Sequence, residues 1–418
     1  MEYRPFPDER GDEFDAFMRY AFAPDEGPYD PAEADDQDTI ADTRGLFDAD
    51  GDPVAVCAHH SFSLRIRGVD REVAGLSAVA SPPEHRRQGN VGRMLRESLA
   101  EYRDRGVHVS TLWPFEYPFY ANYGWATASR YRHLTAPPEL LAFVDDLIAT
   151  AGDEAGRFRP LDEGDYEAVK PVLAAMADRY DLTMDWTEEW WRERALQGWK
   201  TDPFVYGWER DGELRGLCAY SFDDADDADD PVLRVSDVAV ADDEAWFQLL
   251  RFFRNHDSQV AEVRVRAPPD APLLDLVEDP RAVDCEVRTG PMVRLVDVAA
   301  ALEALDPDPE IETAFSLSVA DTLVDRNDRT FCVAVANGAV AVELAGNGDA
   351  DGGGDRTDPD AAPTADAAVD VGTLSQLYVG YRSVDEAVRS DGLAVDSGVV
   401  ADLRALFPPR TTHLREGF

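Results

Sequence analysis

The sequence predicts an α/β (α+β) protein with mixed sheets flanked by helices, arranged as two tandem copies of one pattern and a third, different domain. Helical and strand-like runs alternate along the first two thirds of the 418 residues, the order helix, hairpin, strand, helix occurs twice, and the character changes after about residue 291. At a typical ~150 residues per domain, the length fits two to three units. We draw them as 1–150, 151–290 and 291–418.

In the first copy Phe14, Phe17, Met18 and Ala21 recur at helical spacing. Runs at 43–47 and 54–60 read as strands joined through Asp50-Gly51, a hairpin signal. A strand over 72–80 leads through Ser81-Pro82-Pro83-Glu84-His85 into a basic loop. Val91, Met94, Leu95, Leu99 and Tyr102 then mark one helix face, and 107–113 is the next strand. The second copy repeats this with a helix through Leu173, Met176, Ala177 and Tyr180, strands at 204–208 and 214–222 flanking Asp211-Gly212, a strand at 232–240, and a helix through Trp246, Leu249, Leu250 and Phe253. In the third domain 331–336 and 339–344 flank Asn337-Gly338, and helices are marked by Leu374, Leu377, Tyr378 and Tyr381 and by Val399, Leu403 and Leu406. Residues 346–367, rich in Asp, Gly and Pro, are too polar to pack and are predicted to be a disordered surface insertion. Pro408-Pro409 ends the last helix, leaving an extended tail at 410–418.

Charge excludes several function classes. With 84 acidic against 40 basic residues the net charge is −44, which argues against nucleic-acid or anionic-membrane partners, since clustered Lys and Arg drive such binding. Disorder does not explain the charge, because 44% of residues are hydrophobic. Lys170 and Lys200 are the only lysines, and acid is spread along the whole chain. This predicts a cytosolic protein of an extreme halophile, where salt screens self-repulsion; an ordinary acidic enzyme is the alternative. Cys57, Cys218, Cys285 and Cys332 lie far apart, as expected of buried thiols in a reduced compartment, and no zinc site is suggested. Without a signal-peptide pattern or a long apolar run, the chain is expected to be soluble and cytoplasmic.

The chemistry-bearing segment is strand, then Arg86-Arg87-Gln88-Gly89-Asn90-Val91-Gly92, then helix. A helix start presents unpaired N–H groups and a positive dipole end, and Gly89 lets a phosphate approach the backbone. The loop resembles the acetyl-coenzyme A pyrophosphate loop of the GCN5-related N-acetyltransferases, with Arg86, Gly89 and Val91 at the family's Arg or Gln, Gly and final small-residue places. Val91 departs from that last place, and Gly92 follows one later. Downstream, Phe119-Tyr120-Ala121-Asn122-Tyr123-Gly124-Trp125 resembles the Eis-type branch (enhanced intracellular survival), as do 373–381 and the terminal Phe418.

The resemblance spans the chain and implies a catalytic acetyltransferase domain, a second acetyltransferase-like domain and a domain like sterol carrier protein type 2. It implies acetyl-coenzyme A as co-substrate, held by the backbone around Val79 with Ser81 at the strand end and by the loop from Arg86 to Gly92. Tyr120 is then the general acid, and the α-carboxylate of Phe418 the base. Aminoglycosides or other polyamines are the implied acceptors, with Asp25, Glu26, Trp113 and Glu116 as candidate contacts; lysine or peptide amines remain open. Gly417 replaces the family's penultimate acid, with Glu416 one earlier, so that contact is in question. A homo-oligomer, trimer or hexamer, is also implied. The second copy has Ala241-Asp242-Asp243-Glu244-Ala245 where the first has its basic loop, and those carboxylates would repel a pyrophosphate; one coenzyme site per chain is expected. Tyr117 and Tyr123 compete with Tyr120 for its role. A lipid-binding carrier is the alternative from another class.

Other conspicuous residues take plain readings. Adjacent strand side chains point to opposite faces, so His59-His60 is not expected to be a two-ligand metal site. Trp186, Trp190, Trp191, Trp199 and Trp208 are expected to pack the second domain or line a pocket. His85 is expected to be exposed, and 223–230 to be a solvated loop.

Overall fold

The computed structural model describes residues 1–32, 40–151, 156–198, 201–223, 231–345 and 365–418. Trp199, residues 224–230 of the acidic loop and 346–364 of the acidic insertion lie outside the described residues. The end of that insertion is built into the fold: Asp366 accepts a hydrogen bond from the Ser316 hydroxyl, and Ala367 opens a strand.

In the first unit helix α1 (Gly11–Phe22) is followed by β2 (Asp42–Phe47), β3 (Pro53–Ile66) and β4 (Val69–Ala80), after the short edge strand β1 (Glu2–Pro5). The β3–β4 hairpin turns at Arg67-Gly68, both at positive φ (53° and 77°). Helix α2 (Asn90–Asp104), β5 (Val109–Leu112), α3 (Tyr117–Ala121) and β6 (Ala126–Thr127) complete the local chain. The second unit holds β7 (Arg130–Ala136), α4 (Val144–Ala151), β8 (Gly156–Pro160), α5 (Tyr166–Arg179), β9 (Met184–Asp185), α6 (Glu188–Trp190), β10 (Phe204–Arg210), β11 (Glu213–Asp223), β12 (Val232–Val240), α7 (Asp243–Arg254), β13 (Glu262–Ala267), α8 (Leu273–Leu276), β14 (Asp284–Thr289) and β15 (Met292–Leu295). The third has α9 (Val298–Glu303), β16 (Thr313–Ala320), β17 (Arg329–Ala336), β18 (Ala339–Leu344), β19 (Ala367–Asp370), α10 (Val371–Val379), α11 (Val384–Arg389), β20 (Leu393–Val395) and α12 (Val400–Leu406).

Three sheets result, in the orders β1-β2-β3-β4-β5-β15-β6, β14-β7-β13-β12-β11-β10-β8 and β18-β17-β16-β19-β20, with β9 also pairing β3. The first two sheets exchange strands. β7 follows the first unit in sequence yet lies between β13 and β14, and β15 returns to sit between β5 and β6. Boundaries at 150 and 290 therefore group β7 with the first unit and β15 with the third, although they pair in the second and first sheets, because periodicity identifies a strand but not its partner. Neither sheet is continuous without the other's chain segment.

The third unit is fastened to the first sheet, through β15, by a buried ion pair. Arg294 on β15 and Asp321 after β16 are fully buried, 2.5 Å apart, and Arg294 also donates to the Tyr123 carbonyl. Replacing it by Met would strand the Asp321 carboxylate without its counter-charge, a loss on the order of 3–5 kcal/mol. Arg294→Met is expected to lower the urea midpoint sharply, measured by circular dichroism at fixed salt. Of the cysteines, Cys57 and Cys218 are buried, Cys285 is partly so, and Cys332 is exposed because it lies on the outward face of β17, contrary to the expectation of four buried thiols. Among the described residues, no helix is long and apolar enough to cross a membrane.

Candidate active site

β4 runs parallel to β5 only from Val73 to Gly75. Beyond that, Ala78 at φ 54° and the register shift in the β3–β4 pairing place Ala78 and Val79 together opposite Cys57, a β-bulge. The bulge turns the end of β4 away from β5, while β15 takes the other edge of β5. A wedge opens whose β4 side carries backbone groups unpaired by β5, with half-buried Val79 at its bend. This is the place the sequence assigned to the thioester arm. Ser81, at the strand end, has its hydroxyl committed to the Val54 carbonyl at 2.8 Å, so it fixes the strand rather than offering a free group.

The basic loop closes the wedge's open end. Arg87 (φ 59°) and Gly89 (φ 81°) both adopt left-handed conformations, and Gly89 caps α2 without any side chain bonded to the helix start. The first N–H groups of α2 are thus left for an external acceptor. Arg86 donates Nε to the Ser81 carbonyl, Gln88 donates to Glu84 O, and buried Asn90 donates to His85 O, which folds the loop on itself. Arg86, Arg87 and Gln88 remain exposed, and His85 is half-buried beneath Asn90 rather than exposed. Val91 packs against the core cluster that holds Tyr120, and a Cβ on Gly92 would fall 2.7 Å from the Tyr123 hydroxyl, so this helix turn must be glycine for the tyrosine to pack there.

The second copy has the wedge but not the anion site. β12 pairs β13 only from Val232 to Val235, with its own bulge at Ser236. However, Asp242 caps α7 by accepting from Ala245 N, and Asp243 and Glu244 occupy its first turn. Asp242 thus takes one of the N–H groups an anion would use, and the first-turn carboxylates oppose its charge.

Tyr120 projects from α3 into the cluster shared by Val79, Leu112 and Met94, edge-on to Phe119 and Trp125. Burial, with a smaller contribution from the nearby Cys57 thiol, raises its pKa well above the usual phenol range. Tyr117 is exposed and its hydroxyl accepts from Thr127 at 3.3 Å. Tyr123 is half-buried against Gly92.

The tail is threaded through the first two units. Arg410 N donates to Gly380 O in the third unit, Asp181 N donates to Thr411 O, His413 N donates to Asp181 O, and Thr412 Oγ1 donates to Ala128 O. Residues Thr412, His413, Leu414, Arg415 and Glu416 are all buried. Arg415 pairs with Asp237 at 2.9 Å, just past the second bulge. Glu416 accepts from Trp186 Nε1 through its carboxylate and from Trp113 Nε1 through its carbonyl, both at 2.8 Å, while burial pushes its pKa up. Glu416 is therefore occupied by structure and does not stand in for the missing penultimate acid. Phe418 then lays its ring on His60 and Phe62, with centroids 5.5 and 4.7 Å away. Those residues lie on β3, where His60 and Phe62 face Gly75 and Val73 of β4, the segment just before the wedge.

Of the remaining candidates, Trp113 joins the tail directly. Asp25, Glu26 and Glu116 are exposed; Glu26 is paired with Arg19, and Phe22 and Phe115 touch edge-on at 6.2 Å, bringing the two carboxylate-bearing loops side by side. His59 and His60 point to opposite faces: His59 bonds Ser98 in a buried network and His60 bonds Ser77 under Phe418. Sequence reading missed Trp186 as the clamp on Glu416, Phe62 and Trp190 (ring centroids 5.5 Å apart) as the floor under Phe418, and Asp181 as the tail's backbone partner. Only the density of tryptophans between 186 and 191 hinted at a built wall there.

Comparison with known proteins agrees with this geometry. GNAT acetyltransferase domain models match residues 2–128 and 182–295, and a sterol carrier protein domain model matches 298–415. An uncharacterized N-acetyltransferase of Streptomyces griseus is 30% identical over 386 residues, covering 88% of this chain and 84% of its own length. The chain belongs to the GNAT N-acetyltransferases. N-acetyltransferase Eis of Mycobacterium tuberculosis is 26% identical to this acetyltransferase over 345 residues, 80% of this chain and 77% of Eis. Among solved structures, a GCN5-related N-acetyltransferase from Anabaena variabilis (TM-score 0.76, 17% identity) and Eis1 from Mycobacterium abscessus (TM-score 0.70, 21% identity) share the fold over the full length of both chains. In this acetyltransferase fold the β4 bulge leads into the loop and uncapped start of α2, and the inserted tail ends on β3 beside β4.

Proposed function

We propose that this acetyltransferase moves the acetyl group of acetyl-coenzyme A onto the amine of a small molecule, in a cleft between the first two units that the chain's own last residues complete. The observation carrying this reading is the tail, whose anchored path from Gly380 to the His60–Phe62 floor brings the terminal residue to the wedge. Acetyl-coenzyme A supplies a thioester whose carbonyl carbon the amine attacks, the C–N bond forming and the C–S bond breaking to leave a thiolate. The backbone at the Ala78–Val79 bulge is positioned to polarise the carbonyl, and the α2 start with Arg86 and Arg87 to hold the pyrophosphate. Tyr120, kept protonated by burial, gives its proton to the thiolate. The Phe418 carboxylate, with an intrinsic pKa of ~3.5, is a weak base, so it holds the amine and passes its proton to water; the phenol is reprotonated from solvent.

A lipid carrier would need neither the wedge nor the loop. Its supporting domain also has its inward side chains, Phe315, Leu317, Phe331 and Val333, packed into the common core. The Eis-type resemblance implies aminoglycosides or polyamines as acceptors, but the exposed carboxylates of Asp25, Glu26 and Glu116 do not single them out in a chain whose acid is spread along its whole length.

Coenzyme binding tests the reading. Each loop arginine supplies a charge-assisted contact on the order of 1.5–3 kcal/mol before salt screening, so Arg86→Ala with Arg87→Ala is expected to weaken acetyl-coenzyme A binding at least ~10-fold in calorimetry while the fold persists. Unchanged affinity places the site elsewhere. We also read the −44 charge as an adaptation to concentrated salt. Dialysis into dilute buffer is expected to lower Tm, and added potassium chloride to restore it; a salt-independent Tm removes that reading.

A further inference from the structure

The strand exchange builds a second feature that coenzyme binding does not use. A cavity of about 260 Å³ opens at the bulge of β12 and is lined by Trp113, Arg234, Arg264, Arg266, Arg288 and Gly417, with Tyr131, His133, Val235 and Ser236 completing it. No Asp or Glu is among these lining residues, in a chain whose carboxylates outnumber its basic groups 84 to 40. The arginines come from three strands, β12, β13 and β14, and the last two reach the same face only because β7 is inserted between them.

This arrangement works against the fold's own stability. Arg234 and Arg264 are direct register partners across β12 and β13, and like charges so placed repel. Arg264 and Arg266 are two residues apart on one strand and share a face. Arg266 lies over Trp113 and Tyr131, 5.0 and 4.5 Å from their ring centroids, yet its Nε and Nη2 are buried and have no hydrogen-bond partner among the described residues. Among the described residues the outer two arginines each hold one carboxylate, Arg234 with Asp223 and Arg288 with Glu286, and Arg264 donates only to the Thr135 hydroxyl. Guanidinium groups gathered with unused donors beside an apolar wall form a receptor for a planar or tetrahedral oxyanion.

We infer that this arginine-lined cavity holds an anionic group, carboxylate or phosphate, carried by the same acceptor whose amine is acetylated. The inference rests on the proposed acetyl transfer and points to an amine that also bears an acid, in place of the acid-free aminoglycosides and polyamines that the resemblance implies. Gly417 lines the cavity and is followed by the terminal Phe418, so an acceptor gripped here extends its amine toward the terminal carboxylate. The coenzyme's phosphates are the other source of the same chemistry, but their loop is at the far end of β4, on the first unit, and the second unit's own helix start is closed by Asp242.

The test is a matched pair of acceptors, putrescine and 5-aminopentanoate, assayed by thiol release at fixed salt with the wild type, Arg266→Gln, and Arg264→Gln with Arg288→Gln. The amino acid is expected to be favoured at least tenfold in kcat/KM, mainly through KM. In the variants that preference should collapse toward parity with acetyl-coenzyme A affinity at the wild-type value. Preference for putrescine, or equal effects of the variants on both acceptors, overturns the inference and leaves the acetyltransferase reading standing. Weakened coenzyme binding in the Arg264/Arg288 variant assigns the cavity to the coenzyme instead. Should neither amine release thiol, inorganic phosphate titrated against tryptophan fluorescence decides independently. In the Arg86→Ala, Arg87→Ala background the phosphate response, reported by Trp113, should persist, and adding Arg266→Gln should abolish it; no saturable response in that background overturns the inference.

Discussion

Adding a few residues after Phe418, or deleting it, is expected to collapse acetylation while the protein stays folded and binds acetyl-coenzyme A normally. Folding survives because the tail is held upstream of its end: Thr412 by Ala128, Arg415 by Asp237, and Glu416 by Trp113 and Trp186. Coenzyme affinity survives because the loop from Arg86 to Gly92 contacts none of these groups. Activity fails because an extension moves the α-carboxylate away from the wedge, and a deletion transfers it to Gly417, which has no ring to seat on His60 and Phe62. Loss of a positioned proton acceptor typically costs ~10²- to 10⁴-fold. Turnover and calorimetry on a C-terminally extended chain separate the two effects, and full activity from that chain would remove the carboxylate from the mechanism.

Tyr120→Phe is expected to keep coenzyme affinity and lower kcat by a comparable ~10²- to 10⁴-fold. The ring stays in the same cluster without its hydroxyl, so the change isolates the proton. Because burial raises the phenol pKa above its ordinary value, the protonated, active form persists into the alkaline range, and kcat should show no alkaline fall near the ordinary phenol pKa of ~10. Tyr123→Phe is the control. Its hydroxyl lies against Gly92, so its loss should disturb coenzyme binding more than turnover. A Tyr120→Phe enzyme with normal kcat, alongside a slow Tyr123→Phe enzyme, would exchange their roles.

The elements were readable where one physical signal sufficed. Apolar periodicity marked α1, α2, α5 and α7, and Asp211-Gly212 and Asn337-Gly338 marked hairpins whose turn residues do take positive φ. The basic loop was readable because glycine and arginine before a helix have a direct electrostatic meaning. Pairing was not. Nothing local in 130–136 or 292–295 says which sheet accepts it, and the exchange of β7 and β15 decides where the first two units meet. The tail's direction followed from Pro408-Pro409 and from the absence of periodicity after it, but its clamps did not, because Trp186 and Asp181 are ordinary core residues until the chain end arrives beside them. The arginine cavity was invisible for the same reason: Arg234, Arg264 and Arg266 meet where β12 pairs β13, but Arg288 on β14 joins them only through the inserted β7.

Direct transfer at one site is the central claim, and intact-mass analysis of a quenched reaction tests it most directly. Wild-type protein mixed with acetyl-coenzyme A and an acid-bearing amine at high salt is predicted to yield one free thiol per acetyl group gained by the acceptor, with the protein's own mass unchanged at every time point. Thiol release that precedes acceptor acetylation, matched by an acetyl adduct on the protein, would contradict it.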